Sequence, residues 1–273
     1  MFCCAPVGDT MVESAQTTED RFLVLLRRAL LGWQEKVDTD FSSQNAAAEL
    51  ALLKSDDVYS QFGLASNGYV LIRFMGRMSI SIGRRLGELY DNLPKFVAAA
   101  RFGLTPSDVS AKINGLNLDV CIPFPLLENE GKTVALKAVS DSLGVNLGPN
   151  QAGLGIEIRY NFNPNDSSRL RKDVSMAEGL VAQDLFPIYL VFSGISPRTE
   201  AMDRLKRAGW HFLIAQEAAD FTKDLLGLDL SSLLTTERVQ KEVLTATEGI
   251  MSSIVASSAM ANALGDYPSM RTD

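Results

Sequence analysis

The feature that most constrains the fold is a regular alternation of strand-like segments and amphipathic helices in the second half of the chain. Residues 156–160 alternate strictly between apolar and polar side chains, and the apolar segments 187–192 and 210–215 have the length of strands. The predicted helices that follow these strands cover residues 167–183, 198–208 and 217–226. Strands that alternate with helices in this order form a parallel sheet covered by helices, so we predict an α/β core.

The segments that flank this core are predicted to be mainly helical. Helical patterns cover residues 18–37, 45–54, 69–93 and 235–264. Pro94 is expected to end the third of these helices, because proline lacks the backbone N–H that an interior helical residue donates.

A β-hairpin is predicted just before the α/β core. Its strands are the apolar segments 116–124 and 133–139, which are joined by the polar residues 128–132. The chain is expected to form one compact domain. Its predicted divisions are a helical N-terminal region at 1–68, a core at 69–227 and a C-terminal helix and tail at 228–273.

Composition excludes several classes of protein. Hydrophobic residues make up 46% and charged residues 22% of the 273, as in an ordinary globular protein. No apolar run approaches the roughly 20 residues that span a bilayer, and no signal peptide is expected. Three cysteines cannot all pair within the chain, which favours a reducing cytoplasm. A single histidine, His211, excludes a multi-histidine zinc site, so any metal is expected to be a hard cation bound by carboxylates.

The net charge of −7 is distributed unevenly along the chain. Residues 69–112 carry a net +4 and residues 159–207 a net +2, whereas the intervening residues 113–158 carry a net −3. A solvated helical surface explains this pattern as well as a functional site does. The functional alternative is a carboxylate cluster that binds a cation, with basic walls that bind a polyanion.

Three residues form the candidate site in the sequence. Glu157 and Arg159 share one face of the predicted strand, because side chains alternate along a strand. Asp119 interrupts the apolar segment 116–124, where its charge requires a neutralising partner. A buried aspartate beside a buried glutamate is repelled by it, unless a divalent cation neutralises both. The opposing interpretation places Glu157 and Arg159 on the solvated face of an edge strand.

The order of these elements resembles the core of the PD-(D/E)XK nuclease superfamily. Aspartate on one strand is followed by acid-x-base on the next, and then by a helix and a strand. The segments that carry the resemblance are GIEIRYNFNPNDSSRLRK at 155–172 and PIYLVF at 187–192. Over residues 69–227 the chain is most similar to type II restriction endonucleases of the ApaLI-like group. The resemblance implies a restriction-endonuclease-like mixed sheet flanked by helices. It also implies Mg²⁺-dependent hydrolysis of phosphodiester bonds in duplex DNA at a short specific site.

The resemblance further implies roles for individual residues. Asp119 and Glu157 hold Mg²⁺, and Arg159 stands where the family usually has lysine. Arginine is always protonated and donates in a fixed fork, so it binds phosphate but is a poor base. Water activation is then left to the metal. Lys137, on the preceding predicted strand, is an alternative source of a positive charge.

Two further acidic residues are candidates for the site. Asp141 lies 16 residues before Glu157, whereas Asp119 lies 38 residues before it, which is longer than the family's usual interval. Asp119 is favoured as the metal ligand because it lies in an apolar segment, whereas Asp141 precedes a turn that it can cap. Glu88, on the third predicted helix, is either a catalytic residue near the metal or a surface residue paired with Arg84.

The predicted partner is double-stranded DNA. Arg169, Arg171 and Lys172 lie at the start of a predicted helix, where free backbone N–H groups and positive side chains bind phosphate. A restriction enzyme that cuts both strands of a palindrome is expected to be a homodimer, and no membrane partner is expected. The chain lacks a glycine-rich nucleotide fingerprint and a P-loop. The alternative class is a non-catalytic α/β binding or assembly module, in which Glu157 and Arg159 form an ion pair.

Overall fold

The computed structural model shows a mixed α/β protein, which confirms the predicted class. It describes residues 7–162, 167–194 and 199–266. Within these residues no single helix has the length and apolar character needed to cross a membrane. The bent pair Glu237–Val255 and Ser258–Asp266 meets those criteria of length and composition when its two helices are taken together.

The helices and strands from residue 153 onward lie close to their predicted positions. In chain order the helices of the described residues are α1 (Val7–Asp40), α2 (Ser43–Ser55), α3 (Asp57–Gln61), α4 (Asn67–Arg101), α5 (Asn129–Leu143), α6 (Ser167–Val181), α7 (Thr199–Arg207), α8 (Gln216–Leu226), α9 (Leu230–Leu234), α10 (Glu237–Val255) and α11 (Ser258–Asp266). The strands are β1 (Ala111–Ile113), β2 (Leu116–Leu118), β3 (Val120–Pro123), β4 (Gly153–Arg159), β5 (Leu185–Val191) and β6 (His211–Ile214).

The chain divides into two compact units. Unit 1 comprises residues 1–22 and 87–235, and unit 2 comprises residues 23–86 and 236–273. Helices α1 and α4 each begin in one unit and end in the other. The division therefore differs from the expected boundaries after residues 68 and 227, because α4 is one continuous helix that passes from unit 2 into unit 1.

The main sheet of unit 1 positions the candidate site. Its order is β3-β4-β5-β6, with β4, β5 and β6 parallel and β3 antiparallel to β4, so the sheet is mixed. Ile156 and Ile158 of β4 line one small cavity with Phe221 of α8. On the opposite face, Gly155 packs against Leu180 of α6. Glu157 and Arg159 lie on this second face, because they alternate with the isoleucines.

The predicted hairpin is wrong in its second strand. Residues 133–139 lie within α5, where Ala135, Ala138 and Val139 are buried at the spacing of a helix. Gly144 ends this helix in the left-handed conformation, with a φ of 66°. Lys137 therefore lies on a helix and not on a strand.

The predicted first strand, 116–124, is divided between two sheets. β1 and β2 form a separate antiparallel pair joined by Asn114 and Gly115, whose φ angles of 50° and 78° are those of a tight hairpin turn. β3 belongs to the main sheet. Asp119 lies at the junction between β2 and β3, where the chain passes from one sheet to the other.

The prediction that Pro94 ends a helix is also wrong, since α4 continues to Arg101. An interior proline costs a helix about 3 kcal/mol, because one hydrogen bond is lost and the ring crowds the preceding turn. Leu89, Leu93 and Ala98 are buried on both sides of the proline. Their packing favours one continuous helix despite that cost.

Unit 2 contains an apolar core and, among its described residues, a buried carboxylate, that of Glu49. Trp33, Phe41, Phe74 and Ile250 are among the core side chains, which the described parts of α1, α2, α4 and α10 contribute. Glu49 of α2 is 6% exposed. It accepts hydrogen bonds from Arg73 Nε at 2.6 Å and from Arg77 Nη2 at 2.7 Å, so its charge is satisfied by two arginines of α4.

Candidate active site

Asp119 lies beside Glu157 because of the antiparallel register of β3 and β4. Val120 pairs with Ile156 in this register, so the residue before Val120 lies opposite the residue after Ile156. Asp119 Oδ2 accepts a hydrogen bond from the backbone N–H of Ile158, with 2.8 Å between the nitrogen and the oxygen. The sheet register therefore makes two carboxylates neighbours.

Arg159 joins these two carboxylates. Its Nη1 atom donates to Asp119 Oδ2 at 3.1 Å and to the carbonyl oxygen of Ile158 at 2.6 Å. Its Nη2 atom donates to Glu157 Oε1. The guanidinium carbon also lies 6.0 Å from the centre of the Tyr189 ring. One positive group thus bridges two negative groups that would otherwise repel each other across the strands.

A third carboxylate, that of the buried Asp173 of α6, belongs to the same cluster and was not predicted from the sequence. Its Oδ2 atom accepts a hydrogen bond from Tyr189 Oη at 3.2 Å, and its backbone oxygen accepts one from Trp210 Nε1 at 2.7 Å. Asp173 lies three residues after Leu170 and four before Ala177, on the apolar stripe of the helix. An acidic residue on an inward-facing stripe is the signal that could have identified it.

Burial dominates the electrostatics of this cluster. It raises the pKa of Glu157 well above the usual 4.5, and Asp119 raises it further, which Arg159 only partly offsets. Burial likewise raises the pKa of Asp173, against the opposing charges of Arg159 and Arg169. For Arg159, burial favours the neutral form, but Glu157 and the neighbouring acids raise its pKa overall, so it remains a cation. The cluster therefore holds three acidic groups around one half-buried arginine.

Two buried atoms of the cluster lack a hydrogen-bond partner among the described residues. They are Glu157 Oε2 and Arg159 Nε, and Glu157 as a whole is 4% exposed. A buried donor or acceptor without a partner costs about 1–3 kcal/mol. The carboxylate oxygen can bind a cation or accept a hydrogen bond, whereas the guanidinium N–H can donate a hydrogen bond to an anion.

The donor set fits a hard divalent cation. Asp119 and Glu157 offer carboxylate oxygens on neighbouring strands, and one of these oxygens is unpartnered among the described residues. In the part of the chain that the structure describes, no group of three or more histidine, cysteine, aspartate or glutamate side chains is placed to hold a metal. Mg²⁺ does not require such a group, because one or two carboxylates usually bind it together with water and substrate phosphates. Asp119 and Glu157 are therefore the residues of the cluster that could hold Mg²⁺.

The structure does not bring the alternative residues Lys137 and Asp141 to Glu157. They form an ion pair with each other on α5, and both are exposed. Lys137 also interacts with the charge of Asp224, which lies on α8. Because α8 covers the sheet face opposite to that of Glu157, this geometry places Lys137 and Asp141 away from the carboxylate pair.

Glu88 is exposed on α4, near one end of the main sheet. Two residues further on, the Tyr90 ring centre lies 5.7 Å from that of Tyr160, which directly follows β4. This part of α4 therefore lies at the C-terminal end of β4. The catalytic role of Glu88 stays a prediction.

The predicted DNA-binding residues Arg169, Arg171 and Lys172 are exposed in the first turns of α6. This helix covers the sheet face that carries Glu157. The charge of Arg169 opposes the rise in the pKa of both Glu157 and Asp173, which places Arg169 near the acidic cluster. Exposed positive charge thus lies beside the buried carboxylates.

No family model matches the chain, and neither does any curated protein or solved structure with which it was compared. The resemblance to restriction endonucleases therefore stays a prediction. The cluster of Asp119, Glu157, Arg159 and Asp173 is the feature of the molecule that indicates a function.

Proposed function

We propose that this chain is a Mg²⁺-dependent endonuclease that hydrolyses phosphodiester bonds in duplex DNA. The observation that supports the proposal most directly is the neighbouring pair of carboxylates, Asp119 and Glu157, with a buried oxygen of Glu157 that has no partner among the described residues. Glu157 is buried and Asp119 lies half-buried beside it, and an uncompensated buried charge costs about 3–5 kcal/mol. A reaction that requires a divalent cation explains why both are present.

Each residue of the cluster has a definite role in this proposal. Asp119 and Glu157 hold the cation, which when bound lowers the pKa of a water and stabilises the charge that develops on the phosphate. Arg159 donates hydrogen bonds to the scissile phosphate, and its high pKa prevents it from acting as a base. Asp173 and Tyr189 connect α6 to β5 through their hydrogen bond. This connection supports the ring that lies beside Arg159.

The proposed class is a type II restriction endonuclease resembling the ApaLI-like group. The order of aspartate, acid-x-arginine, helix and strand supports this class, as does the exposed basic start of α6. In this proposal Arg169, Arg171 and Lys172 bind the DNA backbone through their positive charge. The enzyme acts in the cytoplasm as a homodimer, in which each protomer cuts one strand of a palindromic site.

A second candidate is a non-catalytic α/β binding or assembly module. The specific observation that favours it is Arg159, which contacts both Asp119 and Glu157 and so neutralises the pair without a metal. In such a module the cluster would only connect β3 to β4. The two candidates differ in whether the carboxylates bind a divalent cation.

Incubation of the purified chain with plasmid and phage DNA tests the proposal. Discrete fragments in Mg²⁺, and intact DNA in EDTA, are the expected result. A smear in place of discrete fragments would support a nuclease but contradict the restriction assignment. Intact DNA in Mg²⁺ across several substrates, with protein shown to be folded by circular dichroism, would contradict catalysis and favour the assembly module.

A further inference from the structure

The guanidinium of Arg159 lies where a cation shared by the two carboxylates would lie. It donates to Asp119 Oδ2 and to Glu157 Oε1, which are on neighbouring strands. Its position is further defined by the bond to the carbonyl oxygen of Ile158 and by the nearby ring of Tyr189. A divalent cation that binds the same two carboxylates must compete with this guanidinium for their charge.

The two unpartnered atoms indicate which ligand would complete the cluster. Glu157 Oε2 is an acceptor with no partner among the described residues, and Arg159 Nε is a donor in the same situation. They belong to the two sides of a single ion pair. A cation would satisfy the first atom and an anion the second, so a divalent cation accompanied by a phosphate ester would satisfy both.

We infer that Arg159 and a divalent cation bind the carboxylates of Asp119 and Glu157 alternately. When the cation displaces the guanidinium, a phosphate ester binds the guanidinium. The identity of these ligands rests on the proposed function. Because the phosphate removes the competitor of the cation, each ligand increases the affinity of the other, and the effect is reciprocal. The site thus binds free Mg²⁺ weakly and phosphate-bound Mg²⁺ strongly.

Binding of Mn²⁺, followed by electron paramagnetic resonance, tests the competition without requiring cleavage. Arg159→Gln is expected to bind Mn²⁺ about 5- to 150-fold more tightly than the unmodified protein, the usual range for coupling between two ligands. Arg204→Gln is the matched control, because it removes an exposed positive charge on α7 and is expected to leave the Mn²⁺ affinity unchanged.

A second variant keeps the test decisive if Arg159→Gln fails to fold. Arg159→Lys retains the charge but loses the fork that bridges two carboxylates, so it is expected to bind Mn²⁺ more tightly than the unmodified protein and less tightly than the glutamine variant. Circular dichroism melts establish that each variant is folded. Mn²⁺ affinities of folded Arg159 variants that are equal to or weaker than that of the unmodified protein would overturn the inference.

Thymidine 5′-monophosphate serves as the phosphate probe in a second arm. It is expected to increase the Mn²⁺ affinity of the unmodified protein but not that of Arg159→Gln, in which no guanidinium has to be displaced. A sample of nucleotide and Mn²⁺ without protein measures the Mn²⁺ that the nucleotide holds by itself. An equal effect of the nucleotide on the unmodified protein and on Arg159→Gln would contradict the role of the phosphate.

Failure of this inference can be distinguished from failure of the proposed function. If the unmodified protein cleaves DNA in Mg²⁺ but the Arg159 variants bind Mn²⁺ no more tightly, the nuclease stands and the competition is rejected. If the Arg159 variants bind Mn²⁺ more tightly than the unmodified protein does, but the unmodified protein leaves DNA intact in Mg²⁺, the competition stands and the nuclease is rejected.

Discussion

At the scale of single residues, the chemistry of the candidate site depends on how one arginine is shared among buried acids. Arg159 contacts Asp119 and Glu157 directly, and its charge opposes the rise in the pKa of Asp173. A guanidinium suits this position because its planar fork donates to two carboxylates at once. The same fork can donate to two oxygens of a phosphate, which connects the observed ion pair to the proposed reaction.

The first prediction concerns the rate of cleavage by Arg159 variants. Arg159→Ala is expected to reduce the single-turnover rate about 100-fold, the usual effect of removing one donor that stabilises transition-state charge. Arg159→Lys is expected to retain more activity, because the positive charge returns without the fork. Rates at saturating protein, with thermal melts of each variant, measure this effect. A wild-type rate for Arg159→Ala would reject the phosphate role.

The second prediction concerns Glu157 and the dependence of stability on pH. Because burial raises its pKa above 4.5, the folded protein holds this proton more tightly than the unfolded chain does. This contribution to stability is fully present below pH 4.5 and is lost as the pH rises through the folded-state pKa. The melting temperature of the unmodified protein is therefore expected to fall relative to that of Glu157→Gln as the pH is raised from 4.5 to 8.

Glu178→Gln provides the matched control for this measurement, because Glu178 is exposed on α6. Its melting temperature is expected to follow that of the unmodified protein across the same pH range. A constant difference between the unmodified protein and Glu157→Gln at all pH values would show that Glu157 does not titrate in this range with a raised pKa.

The sequence predicted part of this cluster for clear physical reasons. Glu157 and Arg159 share a strand face by simple alternation, and the charge of Asp119 in an apolar segment indicated a partner. Asp173 was missed because a single acid in a helix is usually on the solvated face. The pairing of Asp119 with Glu157 depends on the register of β3 and β4, which the sequence between them does not specify.

At the scale of elements, the position of β4, which carries Glu157, is fixed by close contacts of its backbone with β3 and with α6. Gly153 lies where an added Cβ would overlap the backbone carbonyl of Ile122 on β3. Gly155 lies where a Cβ would overlap the end of the Leu180 side chain of α6. Both glycines are therefore required by close packing around the strand that carries Glu157.

The third prediction ranks alanine substitutions at these glycines by their effect on the free energy of unfolding. Gly155→Ala is expected to cost about 1–3 kcal/mol, as overpacking of a core usually does, because the Leu180 side chain can shift. Gly153→Ala is expected to cost more, because the backbone of β3 at Ile122 cannot shift without losing its pairing with β4. Gly148→Ala is the control, because an added Cβ there contacts nothing within 4 Å. Urea denaturation of the three variants measures the order, and a Gly153→Ala cost no larger than that of Gly148→Ala would contradict it.

The strand predicted at residues 133–139 was wrong for a reason that lies in its length. Residues 133–139 form a short apolar run that fits either a strand or a helix, and only its extension to Asn129–Leu143 reveals the helical spacing of its buried residues. Asn114-Gly115, by contrast, is a strong turn signal that would have identified the β1–β2 hairpin. The α/β segment was predicted well because its strands and helices differ clearly in period.

At the scale of the whole molecule, the two units contain buried acids with opposite responses to pH. Burial raises the pKa of Glu157 and Asp173 in unit 1. In unit 2, burial also favours the protonated form of Glu49, but hydrogen bonds and charges from Arg77 and Arg73 outweigh it and lower the pKa. The stability that Glu49 contributes is therefore present above pH 4.5 and is lost as the pH falls through the folded-state value.

The fourth prediction follows from this contrast. Hydrogen exchange followed by mass spectrometry, corrected for the intrinsic pH dependence, is expected to show increasing protection of β4 and β5 as the pH falls from 8 to 5. Protection of α2 is expected to stay constant over that range and to decrease below pH 4.5. Parallel changes in β4, β5 and α2 would show that the buried acids do not control local stability.

Single-turnover cleavage of duplex DNA in Mg²⁺ by matched amide variants tests whether Asp119 and Glu157 hold a catalytic cation. Glu157→Gln and Asp119→Asn are expected to show no cleavage while still binding DNA in Ca²⁺, because contacts between basic residues and phosphate persist. Glu178→Gln is expected to cut at the unmodified rate. Cleavage by Glu157→Gln at that rate, or an inactive Asp141→Asn beside an active Asp119→Asn, would contradict the account.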